Sequence, residues 1–150
     1  MREILFRGKY VDAGEWVEGC LLHDSEQNES YIAEHFEYNT VSIREVIPET
    51  VGQYTGLTDK NGKKIFEGDI IKFCRYACDW MDKEEYDIEI SVVEFENGCF
   101  VLDKTYSSDG YNELSCVYGE ISHIDGTYED CAIFEVIGNI HDNGELLGDK

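Results

Sequence analysis

The stretch Thr50–Phe73, TVGQYTGLTDKNGKKIFEGDIIKF, limits the fold more than any other part of the chain. Val51, Tyr54, Thr55 and Leu57 favour extended backbone. They run into the polar segment Asp59-Lys60-Asn61-Gly62-Lys63, after which Ile65 and Phe66 resume the apolar pattern. Asn-Gly is the strongest short-range hairpin signal, because both central residues of a type I′ turn need positive φ. The sequence therefore predicts a hairpin here, with a type I′ turn whose lysine-rich tip stands in water. Glu67-Gly68-Asp69 breaks the chain again. Gly68 enters the left-handed region at little cost, and Asp69 is a short polar side chain placed to bond the adjacent backbone. Ile70, Ile71 and Phe73 then read as the next strand. Two reversals so close together suit a small, highly curved antiparallel sheet and no long helix.

The rest of the chain continues this pattern. Glu3–Tyr10 alternates, Asp12-Ala13-Gly14 turns, and Trp16–Leu22 returns as the second arm of a hairpin. Tyr31-Ile32-Ala33 and Thr40–Val46 are further strands, the latter carrying Val41, Ile43 and Val46, and Pro48 punctuates before the central stretch. In Ile88–Phe95 the apolar phase changes at Val92–Val93, which implies either a bulge or burial on both faces. Asn97-Gly98 is a second hairpin turn, with Cys99–Leu102 as its return strand. Ile133–Ile140 is a final strand, and Asn143–Leu147 closes with a helical turn. Two stretches stay open. Cys74–Asp87 reads as one or two helical turns or as an extended acidic loop, and Leu114–Tyr118 as a strand or a short helix. With 42% hydrophobic residues a proper core is available, and 150 residues suit one domain, 1–150. The expected fold is mainly β: short, strongly curled antiparallel strands, partly barrel-like, with at most short helices.

Three parts of the chain resemble the YopX-like family of phage and prophage proteins. The central signature appears as Thr55-Gly56-Leu57, Asp59 to Lys63, and Ile65-Phe66-Glu67-Gly68-Asp69-Ile70. The opening Ile4–Lys9 and Gly14–Gly19 are similar to the family's first hairpin. Phe134-Glu135-Val136-Ile137-Gly138-Asn139-Ile140 is similar to its closing motif. The run that follows, Asn143-Gly144-Glu145-Leu146-Leu147, has Gly144 where the family usually has proline, which implies a looser last turn. The resemblance implies the fold and a phage context, and no mechanism. It marks Thr55, Gly56, Leu57, Asp59, Asn61, Gly62, Phe66, Glu67, Gly68, Asp69, Gly138 and Asn139 as motif residues, whose expected role is structural.

Charge narrows the partners. Lys plus Arg number 12 against 33 Asp plus Glu, a formal net charge of −21. Direct binding to nucleic-acid phosphates is not expected, since that needs basic patches. A surface that imitates nucleic acid and blocks a basic site on a host protein is the sharper reading of the same charge. No apolar run reaches the ~20 residues of a membrane span. The six cysteines, Cys20, Cys74, Cys78, Cys99, Cys116 and Cys131, read as reduced, mostly buried thiols of a cytoplasmic protein in a bacterial host.

No catalytic or metal motif emerges, and no cofactor is expected. Cys74-x3-Cys78 lacks the second pair a structural zinc site needs, and His23, His35, His123 and His141 are isolated in the sequence. Tyr76, Trp80, Met81 and Tyr86 lie among Asp79, Asp82, Glu84, Glu85 and Asp87, the composition of an interface core with a polar rim. With Trp16 they form the candidate interface, and a binding module predicts a contiguous apolar surface patch involving Trp16, Tyr76, Trp80 or Met81. The protein partner is not specified by these residues, and self-association into a homo-oligomer is left open. A binding or assembly role is the first expectation, a nucleic-acid-mimicking inhibitor the second, and a small metal-dependent enzyme the third.

Overall fold

The computed structural model describes residues 3–36, 40–76, 86–103 and 134–148, with backbone alone at 35–36, 74–76 and 86–88. The described residues are mainly β, in two antiparallel sheets, neither of which closes into a barrel. Their helical pieces are short 3₁₀ turns, Pro48–Thr50 and Gly144–Leu147. The chain divides into two compact units, Met1–Leu57 and Thr58–Lys150.

The first unit contains β1 (Phe6–Lys9), β2 (Trp16–Asp24), β3 (Glu29–Phe36), β4 (Thr40–Val46) and most of β5 (Gly52–Thr58). The pairing order is β4-β3-β2-β1-β5, with β4 at the edge. The expected first hairpin is present, with Lys9 opposite Trp16. The sheet curls until the end of β4 meets the end of β1. Val46 bridges Tyr10, the Val11 amide donates to the Glu45 carbonyl at 3.1 Å, and the Ile47 amide donates to the Lys9 carbonyl at 2.9 Å. Buried Thr50 secures that corner, its hydroxyl accepting from the Lys9 amide and donating to the Ile47 carbonyl. The curl encloses Val17, Ile32 and Val46, against which Phe6, Tyr10, Leu21 and Val51 pack. Close approach requires glycine here: a Cβ on Gly19 would collide with the Ala33 carbonyl.

The second unit contains β6 (Lys64–Phe66), β7 (Asp69–Tyr76), β8 (Tyr86–Glu96), β9 (Cys99–Leu102) and β10 (Glu135–Asn139). Its 4-stranded sheet has the order β10-β7-β8-β9. The two ends of the open Cys74–Asp87 stretch are strand: β7 runs to Tyr76, β8 starts at Tyr86, and the two tyrosines sit opposite each other in the register. The phase change at Val92–Val93 is burial on both faces. Ser91, Val92 and Val93 are all buried, and β8 changes partner there, pairing β7 up to Val92 and β9 from Val93 onward. Phe73 and Phe134 meet edge to face, with ring centroids 5.5 Å apart, and Ile70 and Ile71 of β7 are also buried. The register between β10 and β7 shifts between Val136 and Gly138.

Two turns look alike in sequence and fold differently. Asn97 and Gly98 both have positive φ, 51° and 86°, and Glu96 pairs with Cys99, as a type I′ turn requires. At Asn61-Gly62 only the glycine is left-handed, with φ 78°. The Gly62 amide donates to the Asp59 carbonyl, and the Asp59 amide donates to the Lys63 carbonyl. This is the pattern of a type I turn followed by a glycine bulge, so the type I′ expectation is corrected here. The cause is Asp59, whose side chain takes the Asn61 and Lys63 amides and so sets the loop's conformation.

Candidate functional site

The motif residues bond mainly to the backbone beside them. Asp59 is buried, with 6% of its surface exposed. One carboxylate oxygen accepts from the Asn61 and Lys63 amides at 2.8 and 2.9 Å, and the other from the Val136 amide on β10 at 3.1 Å. Burial pushes this carboxyl up, but the amides of Val136, Lys63 and Asn61 outweigh it and hold it below its ordinary range. The neighbouring Lys60 adds two ties to the same strand entrance, its amide to the Phe134 carbonyl and its ammonium 2.8 Å from Glu135. Asp69 is buried and accepts from the Phe66 amide at 2.8 Å, closing the turn through Glu67 and Gly68. Gly68, at φ 80°, donates to the Val93 carbonyl and accepts from the Ile140 amide. Thr55 accepts from the Leu57 amide across Gly56, and Asn139 accepts from the amides of His141 and Asp142. Beside it, a Cβ on Gly138 would stand 2.7 Å from Asn143 Oδ1.

Of the candidate interface residues, Trp16 is described in full. It is half-buried, with the Arg7 guanidinium 4.7 Å from its ring centroid and the Lys9 ammonium at 5.7 Å. Tyr76 and Tyr86 are placed in the register, while Trp80 and Met81 lie outside the described residues. So does Cys78. Cys20 is exposed, against the expectation of buried thiols, and Cys99 is half-buried. His23 lies 3.0 Å from the Ser30 hydroxyl. Among the described residues, no group of three or more His, Cys, Asp or Glu is placed to hold a metal ion.

A surface that the sequence reading did not single out lies on β2, β3 and β4. The apolar residues of β4 do not share a face. Val46 is 1% exposed, whereas Val41 and Ile43 are each 60% exposed. Side chains alternate along a strand, so the odd-numbered Val41, Ile43 and Glu45 point outward while Val46 points into the curl. Across the ladder Ile43 aligns with Ala33 and then Cys20, and Glu45 with Tyr31 and then Leu22, which is 48% exposed. Trp16 belongs to the same face of β2, three alternations from Leu22. Glu18 and Glu45 are exposed carboxylates on this face. The Tyr31 hydroxyl donates to Glu29 at 2.6 Å, and that bond, with desolvation and the same carboxylate's charge, raises its pKa to about 12. The signal was present in the sequence as parity: Val41 and Ile43 are out of step with Val46.

A family model described as YopX protein matches residues 5–148. No curated protein is a significant match. The crystal structure of protein EF1440 from Enterococcus faecalis is similar over 98% of this chain and 99% of that one, with a TM-score of 0.54 and 24% identity. That likeness is one of fold. No described helix is long and apolar enough to cross a membrane.

Proposed function

The chain belongs to the YopX family, and from that premise we propose that it is a phage- or prophage-encoded, non-enzymatic module that binds another protein within an assembly. The observation that carries this reading is the outward exposure of Val41 and Ile43 on β4, with Leu22 on the same face of the curled sheet two strands away. Exposed apolar side chains on one sheet face, with the carboxylate of Glu45 among them, have the makeup of an interface core and its rim. The test is affinity capture from bacterial lysate with the full chain as bait. A specific partner that survives a salt gradient supports an apolar interface, and no specific partner under any condition overturns the reading.

The net charge of −21 favours a second reading, an acidic decoy for a nucleic-acid-binding protein of the host. That reading expects the captured protein to be released both by moderate salt and by duplex DNA.

A further inference from the structure

We propose that Asn97 is a site of non-enzymatic modification: the Gly98 backbone nitrogen displaces its side-chain amide, and the turn between β8 and β9 accumulates aspartate and isoaspartate ahead of the chain's other Asn-Gly pairs.

The chemistry needs an asparagine followed by a residue whose nitrogen can reach the side chain. Glycine suits this position because no Cβ hinders the approach. The chain offers the dipeptide at Asn61-Gly62, Asn97-Gly98 and Asn143-Gly144. Space around the glycine does not separate the three, since a Cβ on Gly62, Gly98 or Gly144 would meet nothing within 4 Å. In the first step the Gly98 nitrogen gives its proton to solvent base and bonds to Asn97 Cγ. The Cγ–Nδ2 bond breaks, and Nδ2 takes a proton from solvent and leaves as ammonia. Water then opens the cyclic imide. Cleavage at Cγ gives aspartate. Cleavage at the Asn97 main-chain carbonyl carbon gives isoaspartate, with the chain now running through Cβ and Cγ. The sum consumes one water and releases one ammonia, with no oxidation or reduction.

Ring closure turns the asparagine ψ out of its folded value. Each pair therefore reacts through a local opening, and the contacts that the opening breaks set the order. At Asn61-Gly62 the attacking nitrogen is itself held, donating to the Asp59 carbonyl at 2.9 Å, and the Asp59 carboxylate takes the Asn61 and Lys63 amides. Hydrogen bonds to a charged acceptor are the strong ones. At Asn143-Gly144 the Asn143 amide donates to the Asn139 carbonyl at 2.9 Å, and its carbonyl accepts from the Leu146 amide at 3.0 Å. Its half-buried side chain also packs against Gly138. Asn97 and Gly98 are both exposed, and among the described residues neither amide donates a hydrogen bond. Their turn is closed by the pairing of Glu96 with Cys99.

The two products differ in consequence. Aspartate keeps the turn, because Asp-Gly suits type I′ as Asn-Gly does. Isoaspartate adds a backbone carbon to a two-residue turn that sets Glu96 opposite Cys99. The misfit falls on β9, which ends the sheet order and carries the buried Val101 and Leu102. The isoaspartate form therefore holds β9 more loosely.

The experiment ages the full chain in mildly alkaline buffer, folded and in parallel unfolded in guanidinium chloride. Each Asn-Gly peptide is followed by mass spectrometry, with fragmentation that separates isoaspartate from aspartate. In the folded chain the Asn97 peptide is expected to convert about fivefold or more faster than those of Asn61 and Asn143. In the unfolded chain that preference is expected to vanish. Asn61 or Asn143 converting as fast as Asn97 in the folded chain overturns the proposal. So does an equal preference for Asn97 when unfolded, which would trace it to neighbouring residues and not to the turn. Amide hydrogen exchange is then read on the isoaspartate fraction and on N97D, which carries the aspartate product from the start. Faster exchange along β9 in the isoaspartate fraction, with N97D unchanged, is the expected result. Equal exchange in both overturns the consequence drawn for β9.

Discussion

Asp59 shows what one motif side chain accomplishes. Its carboxylate accepts three amides, one of them from Val136, far away in the sequence. Replacing it with Ala leaves those donors without their acceptor, at an expected loss of about 2–3 kcal/mol, measured by urea unfolding. Asp59→Asn is expected to recover only part of this, because one oxygen becomes an N–H donor facing another donor. The pH dependence follows from the lowered pKa. A carboxyl depressed in the folded state contributes its full stability above its unfolded value, about 3.9, and loses it as pH falls through the folded value. The stability gap between wild type and Asp59→Ala is therefore wide at neutral pH and narrows below about pH 4. A gap that stays constant through that range would show that the carboxylate charge is not the source. Gly138 was legible only as part of a motif. The structure adds the reason, Asn143 within 2.7 Å of where a Cβ would sit. Gly138→Ala is expected to cost about 1–3 kcal/mol, read as a lower unfolding midpoint.

At the scale of elements, the strands with alternating patterns were readable, and so were the hairpins. Their turn chemistry was readable only in part. The same Asn-Gly dipeptide forms a type I′ turn at Asn97-Gly98, where both residues have positive φ, and a glycine bulge at Asn61-Gly62, where Asp59 redirects the loop. This difference predicts different tolerance. Asn97→Ala places a Cβ-bearing residue without a helpful side chain at φ 51° and is expected to cost about 1 kcal/mol. Asn61→Ala, which requires no positive φ, is expected to cost less. Paired thermal melts of the two variants compare them directly. β4 teaches the complementary lesson. Its composition marks a strand, but Val41 and Ile43 compete with Val46 for the inner face, and a shift of one residue exchanges the faces. The bridge from Val46 to Tyr10 selects the register that leaves Val41 and Ile43 outside.

For the whole molecule, charge and family membership are the governing facts. A net charge of −21 opposes compaction through self-repulsion, so the unfolding midpoint is expected to rise as salt increases from about 0.01 to 0.15 M. A midpoint that does not rise would place the carboxylates in local pairings that already neutralise them. The family match spans residues 5–148 and so includes both compact units. By itself the sequence determined the β class, the hairpin positions, the acidity and the family, because each is written in local pattern or composition. Tertiary structure alone decided that Asp59 ties its loop to β10, that Ser91, Val92 and Val93 are buried together, and that Val41 and Ile43 face solvent. The physical reason is shared by all three. A strand's period states which residues lie on a common face, while which face meets the core depends on pairings between residues distant in the chain.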